Sequence, residues 1–482
     1  MGAEPPRPPA VTPEVSRLGS TGASLLLFAV SFGVALWSVG GVAMDGLLGW
    51  DAYPMIAAHG SALDAFGTEL MDGRYPDGRF YRPVASLSVA LDRAIPTAYP
   101  TLAAPYRLTD VLVCAFGAAC VGMLALRMAL HGGRSFNAAL VAGAASALAL
   151  VLHRAQLDVV PFLPRRADGM SAAFMTWTAL LVYRRAHPAF VGLAALAAVL
   201  SKETGAIAIG LAFAAAWARP PREGDAPLAE ALRAAVAPAV AVTLAVGARF
   251  LVLGELGGHA ETGFAFGRAL ATTKATLLAS AEGAPGGALA IGALAIAAAL
   301  GAAALGAGRA LVLPLSWLAA ALAITAFSGR AHPWYAIQIA PPLALLVGIA
   351  MGAGSSRGAR WTLLSTAAGT LLLVLIALGG RAPERRALLD HASAVSADQD
   401  GRFRALLEGL SRGQAATFSP YFIGANDASG AQELVHAPYS LSALAELAGY
   451  EVEVGAASLT SRRTVEDPFA TIQISAPMSR GM

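Results

Sequence analysis

Long apolar runs separated by short polar breaks make up most of this chain, up to about residue 380. A membrane-crossing helix needs ~20 predominantly apolar residues. On that scale the pattern predicts spans at Thr21–Met44, Leu108–Leu130, Phe136–Leu152, Met170–Tyr183, Ala234–Leu253, Gly286–Gly308, Leu311–Phe327, Tyr335–Gly352 and Trp361–Leu378. Two further runs, Phe190–Leu200 and Thr204–Ala218, are too short to cross without tilting, and Ser201-Lys202-Glu203 lies between them. They are expected to meet at membrane depth, where polar backbone must line a cavity. The expected fold is an α-helical polytopic membrane protein with about eleven transmembrane helices. From Arg381 to Met482 the pattern changes to frequent charges and short apolar clusters. There Phe403–Leu410 and Leu441–Leu447 have helical spacing, while Glu451–Val454 and Thr471–Ser475 alternate like strands. A small soluble α/β domain over 381–482 is predicted, with a turn near Pro420 inside Ser411–Asn426 and no catalytic motif.

Composition supports the membrane reading. Of 482 residues, 56% are hydrophobic and 13% charged, against about a quarter charged in soluble domains. The net charge of +3 comes without a basic run suited to nucleic acid. Cys114 and Cys120 both fall in one apolar run, which favours packing over a disulfide. Residues 1–20, rich in Pro and carrying Arg7 and Arg17, are expected to be a disordered cytoplasmic tail before a retained anchor. Arg127, Arg134, Arg184, Arg185, Arg219, Arg222, Arg309, Arg357 and Arg360 then fall on the cytoplasmic side. That orientation puts the C-terminal domain outside, together with a large first loop over 45–106 and the segments His153–Asp168, Gly254–Pro285 and Ser328–Trp334. The external arginines Arg154, Arg165 and Arg166 run against the charge rule, which marks them as functional candidates.

The first loop is the only long polar segment near the start. It is too acidic and too broken by Gly and Pro to enter lipid. Asp51, beside Trp50 and Tyr53, can serve as a general base or be an ordinary loop acid, with Asp45 its nearest rival. Asp64, Glu69, Asp72 and Asp77 are expected to face water. Where the loop returns to the membrane, Tyr81-Arg82-Pro83 offers a guanidinium that can clamp a phosphate or snorkel to the interface. Arg107 and Asp110 are expected to pair with each other one turn apart. Arg165 and Arg166 can bind a phosphate, with Asp168 orienting one of them or capping the next helix. Lys202 and Glu203, at membrane depth, are either functional or a structural ion pair. His332, Trp334 and Tyr335 read most simply as an interfacial belt. No histidine pair has metal spacing and no phosphate-binding loop motif is present.

Five fragments in order resemble the GT-C class of integral-membrane glycosyltransferases, nearest to protein O-mannosyltransferase-like members. They are Trp50-Asp51 and the stretch from Tyr81-Arg82-Pro83 through Leu91-Asp92. Tyr106-Arg107-Leu108-Thr109-Asp110, Arg165-Arg166-Ala167-Asp168 and Leu200-Ser201-Lys202-Glu203-Thr204 complete the series. The likeness spans about Trp50–Gly210, the later spans following in hydropathy alone. Ala52 stands where the family has a second loop acid, and Arg107 and Asp110 where it has His and Asn. The missing acid puts metal use and ordinary catalysis in question. The resemblance implies sugar transfer from a polyprenyl-phosphate donor to a protein, lipid or glycan acceptor, at the external face of the cytoplasmic membrane. It makes Asp51 the base and Tyr81, Arg82, Arg165, Arg166, Asp168, Lys202 and Glu203 the donor site, with no metal assigned. Asp51, Arg82, Arg166 and Lys202 are expected to converge on one cavity. A transporter or flippase of lipid-linked substrates remains the alternative, as does a non-catalytic remnant with an external binding domain.

Overall fold

The computed structural model describes residues 13–48, 51–59, 61–73, 78–97, 102–220, 226–255, 258–259, 266–328, 332–352, 359–409, 415–418, 438–447, 453–454 and 472–475. Helices dominate them. The chain runs α1 (Pro13–Ala35), α2 (Ala52–Ala58), α3 (Asp64–Gly67), α4 (Pro83–Arg93), α5 (Ala103–His131), α6 (Phe136–Val151) and α7 (Gln156–Val159). It continues through α8 (Arg166–Tyr183), α9 (Pro188–Ser201), α10 (Ala208–Ala218), α11 (Pro227–Leu253), α12 (Phe266–Ser280), α13 (Gly287–Ala302) and α14 (Val312–Ser328). The last helices are α15 (Ala340–Gly352), α16 (Ala359–Arg381), α17 (Pro383–Gly409) and α18 (Pro438–Leu447). Among the described residues, six helical stretches are long and apolar enough to cross a membrane, and Phe136–Val151, Pro188–Ser201, Glu203–Ala218 and Val312–Ser328 are shorter apolar helices.

Apolar side chains point outward as well as inward, as lipid solvation allows and water does not. Leu244, Phe250, Leu251, Leu289, Ile296 and Leu363 are all more than half exposed. Association in lipid then depends on close packing rather than on hydrophobic burial. At the centre, α5, α6 and α15 meet through small residues. A Cβ on Gly122 would sit 2.7 Å from the Gly143 carbonyl oxygen, and one on Gly348 would sit 2.6 Å from Ala125 Cβ. Ser146 reinforces that seam by donating to the Ala344 carbonyl at 2.6 Å.

Several boundaries differ from the sequence pattern. Residues 13–20, assigned to a disordered tail, form the first turns of α1; residues 1–12 lie outside the described set. The first loop is helical rather than open, since α2, α3 and α4 all belong to it. Residues 403–409 are not a separate helix but the end of the 27-residue α17, and Leu410 lies outside the described residues. A left-handed residue, Ala382 with φ 25°, separates α17 from α16, and Pro383 restarts the helix at its first position. In the C-terminal region strands β3 (Ala415–Phe418), β4 (Glu453–Val454) and β5 (Ile472–Ser475) form an antiparallel sheet in the order β3-β5-β4. Most of the expected strand segments match it. Pro420 and its predicted turn lie outside the described residues. Before them, β1 (Gly78–Arg79) pairs with β2 (Gly258–His259), tying the first loop to the end of α11.

Candidate functional site: a charged break between α9 and α10

The chain breaks at Lys202, where the backbone turns extended (φ −159°, ψ 148°) and α9 stops. It resumes as a short 3-10 turn, Glu203–Ile207, closed by the Gly205 N–H donating to the Lys202 carbonyl at 2.8 Å. Gly205 is required there. A Cβ at that position would lie 2.3–2.5 Å from the backbone of Ala198 and Val199. The tight crossing presents Lys202 and Glu203 side by side, pointing to different partners.

Glu203 lies between two guanidiniums. Arg82 donates through Nη2 at 3.0 Å, and Arg249 through Nη1 from the last turns of α11. Arg82 occupies the residue before α4, where Pro83 fixes the first helical position. Its guanidinium also lies over the Phe80 ring, 4.5 Å from the centroid. Burial opposes its charge, but Glu203, with Asp168 and Tyr335, more than offsets this and holds Arg82 above its ordinary pKa. Lys202 Nζ reaches Asp168 at 2.5 Å and lies 5.0 Å from the Tyr335 ring. Asp168 sits in the first turn of α8, where the helix dipole favours an anion. Among the described residues this cluster combines Arg82, Arg249 and Lys202 with Asp168 and Glu203, an excess of one positive charge. Glu203 is 39% exposed while the arginines holding it are 13% and 10% exposed, so the cluster opens on the Glu203 side. A largely buried, net-cationic cluster with one partly exposed edge suits an anion, and forked guanidiniums match phosphate oxygens best.

The remaining basic candidates turn elsewhere. Arg166 does not join this cluster. Its guanidinium is wholly buried, donating to Asp92 at 2.5 Å, Asp110 at 2.6 Å and the Tyr106 carbonyl at 2.7 Å. With two carboxylates and a carbonyl around one guanidinium, it locks α4, α5 and α8 together. The expected Arg107–Asp110 hydrogen-bonded pair is likewise not formed. Arg107 donates to the carbonyls of Val160, Pro161 and Ala43, which would otherwise lack helical partners, leaving Asp110 to Arg166. Arg165 is stacked between the Phe162 and Trp334 rings, 3.8 and 4.0 Å from their centroids, and donates to the Asp158 carbonyl at 2.7 Å. The presumed belt thus covers the site: Trp334 faces Arg165 and Tyr335 faces Lys202.

Asp51 precedes α2 and is half-buried, its carbonyl accepting from Met55 N–H at 3.0 Å. Tyr81 is buried and donates to the Phe66 carbonyl at 3.1 Å, which fixes the loop rather than offering the phenol outward. Glu69 pairs with Arg79 at 2.7 Å instead of facing water alone, and Asp64 accepts from Ser61 N–H at 2.8 Å. Asp72 is exposed and Asp77 lies outside the described residues.

Nothing in the sequence pattern indicates what holds the Asp51 segment. One face of α17 contacts Ala43, Gly46, Leu47 and Tyr53. Asp390 accepts from Ala43 N–H at 2.7 Å, and Ser393 accepts from Gly46 N–H at 2.7 Å while donating to its carbonyl at 3.0 Å. Ser396 donates to the Leu47 carbonyl at 2.8 Å, and Tyr53 donates to Asp400. These positions recur every three or four residues, one stripe of a helix. Burial first, then Asp400, pushes the Tyr53 phenol well above its usual pKa. Tyr53, Ile56, Phe403, Leu407, Leu441 and Leu444 share one apolar cluster, so α2, α17 and α18 pack as a unit.

Arg249 and the α17 stripe escaped the sequence reading, which took Tyr335 for part of an interfacial belt. Arg249 looks like a basic residue at a helix end, and the serines of α17 carry no motif. Among the described residues no group of three His, Cys, Asp or Glu side chains is placed to hold a metal ion. No family model matches the chain, and no curated protein is similar to it in sequence.

Proposed function

We propose that the chain is an integral-membrane glycosyltransferase of the GT-C class, moving a sugar from a polyprenyl-phosphate donor to an acceptor at the external face of the cytoplasmic membrane. The observation that carries this reading is the convergence of Arg82, Lys202 and Arg249 on the α9–α10 break from three distant parts of the chain. In the proposed reaction Asp51 accepts the proton of the acceptor hydroxyl or amine as that atom bonds the anomeric carbon. The bond from that carbon to the phosphate oxygen breaks, and the electron pair leaves on the polyprenyl phosphate. Arg82, Arg249 and Lys202 stabilise that developing charge. Asp168 and Glu203 orient them, while Arg165 and Arg166 hold the start of α8 and hence Asp168. Ala52 directly follows Asp51, so the adjacent position holds no second carboxylate.

The six long and four shorter apolar helices, with α8, make the eleven crossings of this proposal. The N-terminus is then cytoplasmic, and residues 381–482 form an external domain. Its helix α17 holds the Asp51 segment.

The broken α9–α10 pair also favours a second reading, a transporter with its substrate at the break. Donor binding tests the site in either case. Arg82→Ala and Arg249→Ala should each weaken binding of a polyprenyl-phosphate sugar by about tenfold or more, and Asp45→Asn should leave it unchanged. Equal donor affinity in all variants would remove the phosphate site and both readings with it.

A further inference from the structure

The opposite ends of the same helices carry a second basic site. The end of α8, the start of α9, the end of α10 and the start of α11 surround a pocket of about 220 Å³. Its polar wall is Arg185, Arg219, Arg233 and Glu230; Val182, Pro188, Val191, Ala234 and Ala237 form the apolar floor. Among the described residues three guanidiniums stand against one carboxylate on this wall, an excess of two positive charges. Glu230 is already bound by Arg219, and by Arg185 at 3.4 Å. Arg219 also donates to the Val182 carbonyl at 2.7 Å, pinning the wall to α8. Arg233 is exposed on α11, at the rim.

Two features point to the chemistry of the occupant. Arg185 closes α8 with a left-handed backbone, φ 56°, a position that ordinarily favours glycine. An arginine in that conformation carries a guanidinium into the wall, where it reaches the Pro220 carbonyl at 3.4 Å. The flanking surfaces are strongly apolar. Phe190 and Leu193 on α9, with Leu232, Val236 and Val240 on α11, are all more than half exposed. Arg233 and Arg249 stand sixteen residues apart on α11, about 24 Å at helical rise. The pocket therefore lies most of the ~30 Å hydrocarbon thickness away from the Arg82–Lys202 cluster.

We propose that this pocket binds the phosphate headgroup of an anionic phospholipid. The guanidiniums hold the phosphate, and the acyl chains lie along the exposed faces of α9 and α11. A basic recess among helix ends at a membrane face attracts anionic headgroups at ~1 kcal/mol per cation, a factor of about five in affinity. Because α8, α9 and α11 run from this pocket to the charged break, an occupied headgroup site braces the helices that position Asp168, Lys202 and Arg249.

The test is lipid retention by the full-length purified protein in neutral detergent, read by native mass spectrometry. The probes are phosphatidylglycerol, phosphatidylcholine and inorganic phosphate. The site predicts one tightly retained phosphatidylglycerol, held at least about fivefold better than phosphatidylcholine. Arg233→Gln and Arg185→Gln should each lower retention by about fivefold, Arg233→Lys should keep it, and Arg360→Gln, at an exposed arginine elsewhere, should leave it unchanged. Equal retention of the two lipids would overturn the proposal, as would an equal loss in Arg360→Gln. Millimolar inorganic phosphate displacing the lipid, with binding of its own that depends on Arg233, would make this a soluble-phosphate site instead.

Discussion

Gly205→Ala is the sharpest probe of the charged break, because it adds one methyl group and changes no charge. The new Cβ would sit 2.3 Å from Ala198 C, 2.4 Å from Ala198 O and 2.5 Å from Val199 N. Ordinary carbon contacts lie at about 3.5–4.0 Å, so the 3-10 turn and the end of α9 must separate by about 1 Å. The opposing atoms are backbone, so no side chain can swing aside. Overpacking of this kind costs about 1–3 kcal/mol, read as a lower midpoint of thermal unfolding in detergent. Lys202 and Glu203 move with the turn, which pulls Glu203 from Arg82 and Arg249 and Lys202 from Asp168. A misplacement of about 1 Å at a reacting site can cost about 100-fold in rate. The assay is therefore paired: unfolding midpoint, and sugar transfer from a polyprenyl-phosphate donor. Gly210→Ala is the control, since a Cβ there meets nothing within 4 Å. Wild-type stability and transfer in Gly205→Ala would show that this crossing does not set the site geometry.

Four further outcomes follow from the same contacts. Gly46→Ala places a Cβ 2.8 Å from the backbone of Ser393 and Ala397; it should lift α17 from the Asp51 segment, slow transfer by about tenfold or more, and leave donor affinity near wild type. Ser393→Ala, which removes two hydrogen bonds without a clash, should do the same more mildly and cost about 1–2 kcal/mol in unfolding experiments. Burial, then Arg154, pushes the His153 imidazole down to about 4 from 6.5. The neutral form is the folded one, so its contribution is complete above pH 6.5 and lost as pH falls through 4, about 3 kcal/mol in all; His153→Gln should flatten the acid limb of the stability curve. Reporter fusions after Ala218 and Leu378 should fall on opposite sides of the membrane, and the same side for both would break the eleven-crossing arrangement.

Hydropathy alone located nearly every apolar helix, because lipid imposes a length and composition on anything that crosses it. The interruption at Ser201-Lys202-Glu203 was equally legible: two cut-short apolar runs with charges between them can only be a break. Which charges meet there was not. Arg82 and Arg249 reach Glu203 across 121 and 46 residues, distances at which spacing carries no information. Arg166 looked like Arg82 in sequence, yet the nearness of Asp92 and Asp110 makes it a structural tie. The α17 stripe was hidden for a different reason. Serine and aspartate on one helix face read as a solvated surface, and only tertiary contact shows that Ser393 and Ser396 serve the backbone of residues 46 and 47.

In the proposed reaction a phosphate-linked sugar is cleaved with Asp51 as the base. Its most direct test is turnover of a labelled polyprenyl-phosphate sugar by the full-length protein in proteoliposomes, following both sugar release and movement of the lipid between leaflets. Release of sugar and polyprenyl phosphate is expected, lost by about 100-fold or more in Asp51→Asn with donor binding intact, reduced together with donor binding in Arg82→Ala, and retained in Asp45→Asn. Movement of intact donor between leaflets without sugar release, or full turnover in Asp51→Asn, would contradict it.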